Sequence, residues 1–340
     1  MGPKAVRDSI VSQPLKLSRT CLAKVWGGRS LERTPGIALD LAGPVGETWE
    51  LVDRDDHNSR VVAGPLAGRT LRGLMESERA ALLGAARATE DGRFPLLVKF
   101  ISAVQPLSVQ VHPDDATAKK LGAGENGKTE AWYVLAAEPG SQLHLGLQAD
   151  VDAATFAARA GGPEVVDLLR AWPVRAGQFV FVPAGTLHSI GAGITLVEVQ
   201  QNSDVTYRVF DWGRPGLDGT PRETHLEQAL LATRYGEAIE GPVTPELVSI
   251  GGGNRSARLC DCELFALELI EVGTQLELDT GGLAVVYVVV EGRGGLGIPR
   301  DDEGFELASG DTWLVPAALG RHRLEARGEP MSVLRVETRP

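Results

Sequence analysis

Four side chains with nitrogen or oxygen donor atoms lie on three strand-like runs of this sequence. Gln110 and His112 are two residues apart in the run 106–113, a carboxylate follows at Glu130, and a second imidazole at His188. Because side chains two apart in a strand project from one face of a sheet, Gln110 and His112 are expected to point together into the space that the sheet encloses. Two imidazoles, a carboxylate and an amide oxygen are suitable ligands for a divalent metal ion, with a position left for a substrate. The pattern therefore predicts a metal site that is open to a small molecule.

Further polar side chains are expected beside this site. Ser108 shares the strand face of Gln110, which suits its hydroxyl to a phosphate or a sugar. Lys128 precedes Glu130 by two residues, so an extended backbone there would place both on the metal side. Lys99 lies in an apolar run, where burial of an ammonium group is costly unless the group has a function, and this supports a role in the pocket.

The composition limits the class of protein. A chain of 340 residues predicts two domains, and an apolar fraction of 43% is sufficient for a buried core. The net charge of −11 argues against non-specific nucleic-acid binding. It is compatible with an anionic small substrate, because a few local lysines and arginines can hold a phosphate. Three cysteines are too few for a disulfide framework, which indicates a reducing compartment.

The sequence pattern favours a cytoplasmic protein without a membrane partner. The longest apolar run, 283–290, is far shorter than the ~20 residues that span a bilayer. The first residues include the charged Lys4, Arg7 and Asp8 with no apolar stretch after them, so a signal peptide is not expected. We expect a monomer or a weak homo-oligomer.

Short strand-like runs separated by glycine and proline dominate the chain. They are 94–103, 107–112, 131–136, 178–182, 194–199 and 285–290. Several short strands with turn residues between them indicate a β-sandwich or barrel and not a βαβ layout. Helical patterns are confined to insertions at 72–89, 113–121, 151–172 (two helices broken at 161–163) and 224–233.

One internal repeat indicates two related β domains. The run 177–183 recurs as 310–316, each with a glycine, five residues of alternating apolar character and a proline. The first copy leads to His188, whereas the second has Arg321 at the same offset and His322 one position later. Since a one-residue shift in a strand turns a side chain to the other face, the second copy is expected to lack a metal site. We expect a catalytic metal-binding domain over 1–240 and a degenerate C-terminal domain over 241–340, joined near 241–253.

The stretch from Gly177 to His188 resembles the second motif of the cupins, which are small jelly-roll barrels with a metal held inside. Two departures are visible. Ala192 stands where an asparagine is usual, and Gln110-x-His112 replaces His-x-His, with the glutamate much later in the chain. The resemblance implies a mainly β fold of two tandem cupin-type jelly-roll domains with a few helical insertions.

With these departures, the sequence resembles a narrower family, the type I mannose-6-phosphate isomerases in their shorter bacterial form. The resemblance rests on Pro-Leu-Ser-Val-Gln-Val-His-Pro-Asp-Asp from position 106, Gly-Lys-Thr-Glu-Ala-Trp from 127 and Gln-Asn-Ser-Asp-Val-Thr-Tyr-Arg from 201. Val-Trp-Gly-Gly from 25 and Gly-Glu-Thr-Trp from 46 are similar to the same family, so the resemblance covers nearly the whole chain.

This resemblance implies a site and a reaction. The residues that match the zinc ligands of the family, one zinc ion per chain, are Gln110, His112, Glu130 and His188. Arg208 matches an active-site arginine, and Lys99 and Lys128 match pocket lysines that could hold phosphate beside Ser108. The implied reaction interconverts mannose 6-phosphate and fructose 6-phosphate by moving a proton between C1 and C2 through an enediol. Glu198 matches a glutamate proposed for this proton transfer, and a metal-bound water or a lysine are the alternatives.

Two other functions are also compatible with the ligand pattern. An iron-dependent cupin oxygenase is one, because two histidines and a carboxylate can hold iron with open positions. The additional Gln110 ligand and the nearby lysines count against it. A sugar-binding or regulatory cupin without turnover is the other, and the retained Arg208 counts against that. The remaining histidines are interpreted as ordinary core or surface residues, namely His57, His144, His225 and His322.

Overall fold

The structure, a computed structural model, describes residues 11–299 and 301–340. The N-terminal residues on which the signal-peptide expectation rests lie outside these ranges. Within them, 22 strands and four α-helices form. None of the described helices is long and apolar enough to cross a membrane.

The first twelve strands build most of the first of two lobes. In chain order they are β1 (Leu15–Lys16), β2 (Thr20–Gly28), β3 (Val45–Leu51), β4 (Leu96–Ala103), β5 (Val109–Val111), β6 (Glu130–Ala137), β7 (Gln142–Leu147), β8 (Leu169–Pro173), β9 (Phe179–Val182), β10 (His188–Ile190), β11 (Ile194–Gln201) and β12 (Tyr207–Phe210). They form a six-stranded sheet in the order β2-β3-β4-β11-β6-β9 and a five-stranded sheet in the order β12-β5-β10-β7-β8. Trp132, Leu143 and Leu196 fill the space between the two sheets.

The second lobe repeats this design with the remaining strands. They are β13 (Val248–Gly251), β14 (Asn254–Asp261), β15 (Phe265–Val272), β16 (Gln275–Asp279), β17 (Val285–Glu291), β18 (Arg293–Ile298), β19 (Asp301–Ala308), β20 (Thr312–Val315), β21 (Arg321–Ala326) and β22 (Met331–Thr338). A seven-stranded sheet, β1-β20-β17-β22-β15-β14-β13, faces a four-stranded sheet, β16-β21-β18-β19. The N-terminal β1 therefore pairs within the second lobe, next to β20.

The two lobes share a core between their larger sheets. Along β11, Leu196 points into the first barrel, whereas Val197 and Val199 leave it and join Phe265 of β15 in one buried cluster. Strand side chains alternate between the two faces of a sheet. All residues of β11 are buried because both of its faces are covered. The predicted mainly β fold of two cupin-type jelly rolls is confirmed.

The helices are short insertions, as expected, with two corrections to their extent. They are α1 (Leu71–Leu83), α2 (Asp115–Lys120), α3 (Ala153–Arg159) and α4 (Leu226–Ala232). The prediction of helix to residue 89 was too long. Helix α1 ends before Gly84, which has φ of 63° and lies so close to the other lobe that a Cβ would be 2.0 Å from the carbonyl oxygen of Gly282.

The second correction concerns the predicted helical pair over 151–172. Helix α3 is followed by a 3-10 turn over Pro163–Leu168 and then by β8, which pairs with β7 instead of continuing as helix. The five residues of β8 alternate between more and less buried positions. A strand this short is set by its partner, because five residues are too few for their periodicity to distinguish helix from strand.

The repeat in the second lobe also differs from its expectation. His322, which was expected on the outer face, is buried in the second barrel, and Arg321 is exposed. A 3-10 turn over Ala317–Leu319 takes up the additional residue, so His322 occupies the place of His188. Val285 pairs with Val315 in the second lobe, just as Glu130 pairs with Val182 in the first. An apolar residue therefore takes the place of the carboxylate. Among the described residues, a single group of at least three close histidine, cysteine or carboxylate ligands occurs, and it lies in the first lobe.

Candidate metal centre

Two buried imidazoles present their Nε2 atoms to one point. Nδ1 of His112 donates to the carbonyl oxygen of Val205 at 2.7 Å, and Nδ1 of His188 donates to that of Thr186 at 2.9 Å. With the proton fixed on Nδ1, each Nε2 is an acceptor, and that of His112 lies 3.3 Å from the ammonium nitrogen of Lys128. Burial and the ammonium group of Lys128 hold the pKa of His112 well below its usual range, and burial lowers the pKa of His188 to about 4. Both rings are therefore neutral at pH 7, as metal ligands must be.

Glu130, the first residue of β6, completes a three-residue cluster. Its Oε1 lies 3.3 Å from Nε2 of His188, and its Oε2 lies 3.7 Å from Nε2 of His112. The ligand atoms of the three residues lie within 4.8 Å of one another. Its Oε2 is buried and accepts no hydrogen bond within the described residues, but it lies 3.4 Å from the ammonium nitrogen of Lys128. Burial and the neighbouring Glu198 carboxylate raise the pKa of Glu130, although the ammonium groups of Lys128 and Lys99 oppose this shift.

Gln110 of β5 closes the cluster from the neighbouring sheet. Its amide nitrogen lies 3.4 Å from Nε2 of His112 and 3.4 Å from Nε2 of His188, while its Oε1 accepts from the hydroxyl of Ser108 at 2.8 Å. Rotation of the amide by 180° would turn Oε1 to the imidazoles, and the Ser108 hydroxyl can then accept from the amide nitrogen. Two neutral imidazoles, a buried carboxylate and this amide are a donor set that fits a divalent metal ion.

An ion pair on the adjoining strands forms the next part of the site. Lys99 of β4 stands opposite Glu198 of β11, with Nζ 2.9 Å from Oε2, and both side chains are buried. The indole of Trp132 donates to Oε1 of Glu198 at 3.1 Å. Burial alone would raise the pKa of Glu198, but the ammonium groups of Lys99 and Lys128 outweigh it and lower the pKa. Burial likewise opposes the charge of Lys99, whose pKa is nevertheless raised by the carboxylates of Glu198 and Glu47.

These side chains surround one cavity of ≈ 250 Å³ in the first lobe. The sequence-predicted residues that line it are Lys99, Ser108, Gln110, Lys128, Glu130, His188, Glu198 and Arg208. His112 is not part of the lining, but its Nε2 lies 3.4 Å from the amide nitrogen of Gln110 and 3.7 Å from Oε2 of Glu130. Arg208 of β12 stands opposite Gln110, and its Nη1 donates to the carbonyl oxygen of Glu223 at 2.9 Å. All predicted site residues are thus brought together, although they come from six strands and the connections between them.

Curated relatives match the chain over almost its whole length. It is 32% identical to mannose-6-phosphate isomerase ManA of Bacillus subtilis over 326 residues, which is 94% of this chain and 98% of the relative. It is also 32% identical to the mannose-6-phosphate isomerase of Streptococcus mutans, over 90% of this chain and 93% of the relative. The chain belongs to the mannose-6-phosphate isomerase family.

Two further comparisons agree with membership of the isomerase family. The family model for the phosphomannose isomerase type I catalytic domain matches residues 15–134. The crystal structure of the mannose 6-phosphate isomerase of Bacillus subtilis superposes with a TM-score of 0.85 at 29% identity, covering 96% of this chain and 99% of that one. The resemblance inferred from the sequence motifs is confirmed.

The cavity of this isomerase-family chain also contains residues that sequence reasoning did not select, namely Lys24, Trp26, Glu47, Asp204, Thr206, Arg222 and His225. His225, interpreted from the sequence as an ordinary residue, lines the cavity, and its Nδ1 accepts from the backbone N–H of Arg208 at 3.3 Å. Glu47 lies within the Gly-Glu-Thr-Trp motif and contacts Lys24 at 3.2 Å, so the motif itself was a usable signal. Arg222 stands in a turn-rich segment without any recognisable pattern.

Proposed function

We propose that this member of the mannose-6-phosphate isomerase family interconverts mannose 6-phosphate and fructose 6-phosphate with one bound zinc ion, through an enediol. The observation that carries the proposal is the convergence of the Nε2 atoms of His112 and His188 on Glu130. These three residues and Gln110 would hold the zinc ion. Bound zinc would supply a Lewis acid without redox chemistry, close to the oxygens that gain negative charge.

Glu198 is the proposed base that takes the proton from one carbon and returns it to the next. The nearby ammonium groups overcome the effect of burial and lower its pKa, which keeps the carboxylate free to accept a proton at pH 7. A carboxylate of low pKa is a weak base, so the C–H bond must be acidified by positive charge beside the developing oxyanion. Arg208 and Lys128 are the proposed sources of that charge within the cavity.

Lys99 is proposed to act through Glu198. Its ammonium group is 2.9 Å from the Glu198 carboxylate and 3.9 Å from that of Glu47, so its charge is already compensated inside the protein. This arrangement favours orientation of the base over the phosphate-binding role expected from the sequence. The hydroxyl of Ser108 and the ammonium group of Lys128 are the proposed contacts to the oxygens of the sugar phosphate.

A coupled assay for fructose 6-phosphate formed from mannose 6-phosphate tests this function. We expect conversion without oxygen, its loss after treatment with a chelator and its return when zinc is added. An iron-dependent oxygenase would need oxygen, and a sugar-binding protein would bind the substrate without turnover. Failure to detect chelator-sensitive conversion would remove the proposal.

A further inference from the structure

Two arginines beside the cavity are anchored by one buried carboxylate. Asp211 is 8% exposed and accepts from Nε and Nη2 of Arg222 at 2.6 and 2.5 Å, and from Nη2 of Arg214 at 2.8 Å. Burial lowers the pKa of Arg208, and the positive charges of the neighbouring Arg222 and Arg214 lower it further. Asp204, a second carboxylate that acts on Arg208, is solvent-exposed. This half-buried group therefore has more positive than negative charge.

The turn that places Asp211 is strained. Trp212 follows it directly and has φ of 58°, the one positive φ among the non-glycine residues that the structure describes. A bulky side chain avoids this left-handed region unless the surroundings impose it, and such strain is concentrated at functional sites. The indole of Trp212 donates to the carbonyl oxygen of Leu107 at 2.7 Å, which holds the turn against the strand connection next to Ser108. The position of Asp211 is thus fixed from the cavity side.

The arginines differ in their access to the cavity. Arg208 and Arg222 line it together with Thr206 and His225, whereas Arg214 lies outside the lining. Asp211 occupies one edge of the Arg222 guanidinium, its Nε and Nη2, and its contact leaves Nη1 for another acceptor. The geometry therefore presents two guanidinium groups, one of them held rigidly, to the space that contains the proposed metal ligands.

We propose that Arg222, fixed by Asp211, binds the phosphate group of the sugar phosphate next to Arg208, so that the segment 211–222 selects phosphorylated over unphosphorylated aldoses. A planar guanidinium matches the oxygens of a phosphate, and the excess positive charge of the group favours an anion there. Asp211 is a positioning residue, since it acts on the substrate only through Arg222. The inference rests on the function proposed above.

Kinetic constants of the zinc-loaded enzyme test this site. Arg222→Gln is expected to raise KM for mannose 6-phosphate and the inhibition constant of inorganic phosphate by one common factor, about 10- to 100-fold, with kcat changed less than about threefold. Asp211→Asn is expected to raise KM by a smaller factor, and Asp211→Glu is expected to restore most of the loss. Arg214→Gln is the matched control. It removes another partner of Asp211 that lies outside the lining, and KM is expected to change less than about threefold.

The possible outcomes separate this inference from the proposed function. The phosphate site is overturned if Arg222→Gln leaves KM and the phosphate inhibition constant within about threefold, or lowers kcat at unchanged KM. If that variant fails to fold, Arg222→Lys decides. The lysine keeps the positive charge but cannot form the paired guanidinium hydrogen bonds to Asp211. An intermediate KM is therefore expected, and a wild-type KM contradicts the phosphate site. Calorimetric titration with inorganic phosphate needs no turnover. If the protein has no isomerase activity but binds phosphate in a manner that depends on Arg222, the proposed function is wrong and the phosphate site is retained.

Discussion

At the scale of single residues, the chemistry depends on which nitrogen of each histidine is free. The carbonyl oxygens of Val205 and Thr186 take the Nδ1 protons, and this turns both Nε2 lone pairs to Glu130. The spacing of two between Gln110 and His112 was sufficient to predict that they share a face, because strand geometry is regular. The partner of His112 could not be predicted, since Val205 is 93 positions away and approaches the ring only in the fold, whereas Thr186 is two residues before His188.

Glu198→Gln tests the assignment of the base. The amide cannot accept the proton, so kcat is expected to fall at least about 100-fold, while the zinc content stays at the wild-type level because the proposed ligands are untouched. Turnover and metal content of the purified variants are the measurements. Glu50→Gln is the matched control, since Glu50 is equally buried but pairs with Arg19 at 2.7 Å and lies outside the cavity lining. Near-normal turnover of a zinc-loaded Glu198→Gln enzyme would show that another group moves the proton.

Arg222 could not be selected from the sequence for a physical reason. It reaches the cavity through its contact with Asp211 and not through a face shared with a metal ligand. An isolated acidic or basic residue in a polar stretch is usually solvated, so its type alone carries little information. Residues within the ordered motifs were predictable because several spacings had to agree at once.

At the scale of elements, strands that could be recognised by alternation form close to their expected bounds. The expected run 131–136 became β6 (Glu130–Ala137), and 178–182 became β9 (Phe179–Val182). The errors concern elements whose form is decided by a partner or by one additional residue. Strand β8 needs β7, and the 3-10 turn before β21 shifts His322 into the second barrel.

His322 provides a test of this shifted register through pH. Its Nδ1 donates to the carbonyl oxygen of Gly320 at 2.9 Å, its Nε2 lies 2.7 Å from the hydroxyl of Tyr287, and burial lowers its pKa. Below the ordinary histidine pKa of about 6.5, the unfolded chain binds a proton that the folded chain does not, so the free energy of unfolding falls as pH decreases. The slope from this group is at most about 1.4 kcal/mol per pH unit.

Chemical denaturation of wild type and His322→Gln between pH 7 and pH 5 measures this contribution. Wild type is expected to lose stability more steeply than the variant over this interval. His112 and His188 are present in both proteins, so their titration cancels in the difference. Equal slopes would contradict the buried position of His322 in the second barrel.

At the scale of the whole molecule, the shared core joins the two lobes. We propose a division into 1–240 and 241–340, with the qualification that β1 pairs with β20 across it. Phe265 of the second lobe is fully buried in the cluster that also contains Val197 and Val199, which flank Glu198. The order of strands could be read from the sequence, whereas the packing of one lobe on the other could not, because apolar residues on both faces of a strand do not identify what covers them.

Phe265→Ala tests the coupling of the lobes. Removal of the ring is expected to lower the free energy of unfolding by about 3–5 kcal/mol and to shift the loss of isomerase activity and the loss of secondary structure together. Circular dichroism and residual activity, followed over one denaturant series, measure this. Phe305→Ala is the control, since Phe305 is only partly buried and belongs to the interior of the second barrel. Activity that persists through a separate first transition would contradict a single cooperative unit.

Zinc-dependent isomerisation is tested most directly by a titration of zinc into metal-depleted protein, with bound zinc and the rate of fructose 6-phosphate formation measured on the same samples. A single catalytic zinc site predicts a rate that rises in proportion to bound zinc and stops rising at one ion per chain, with no gain in Glu130→Gln at the same zinc concentrations. Full activity in the metal-depleted protein, or none at one zinc ion per chain, would contradict it.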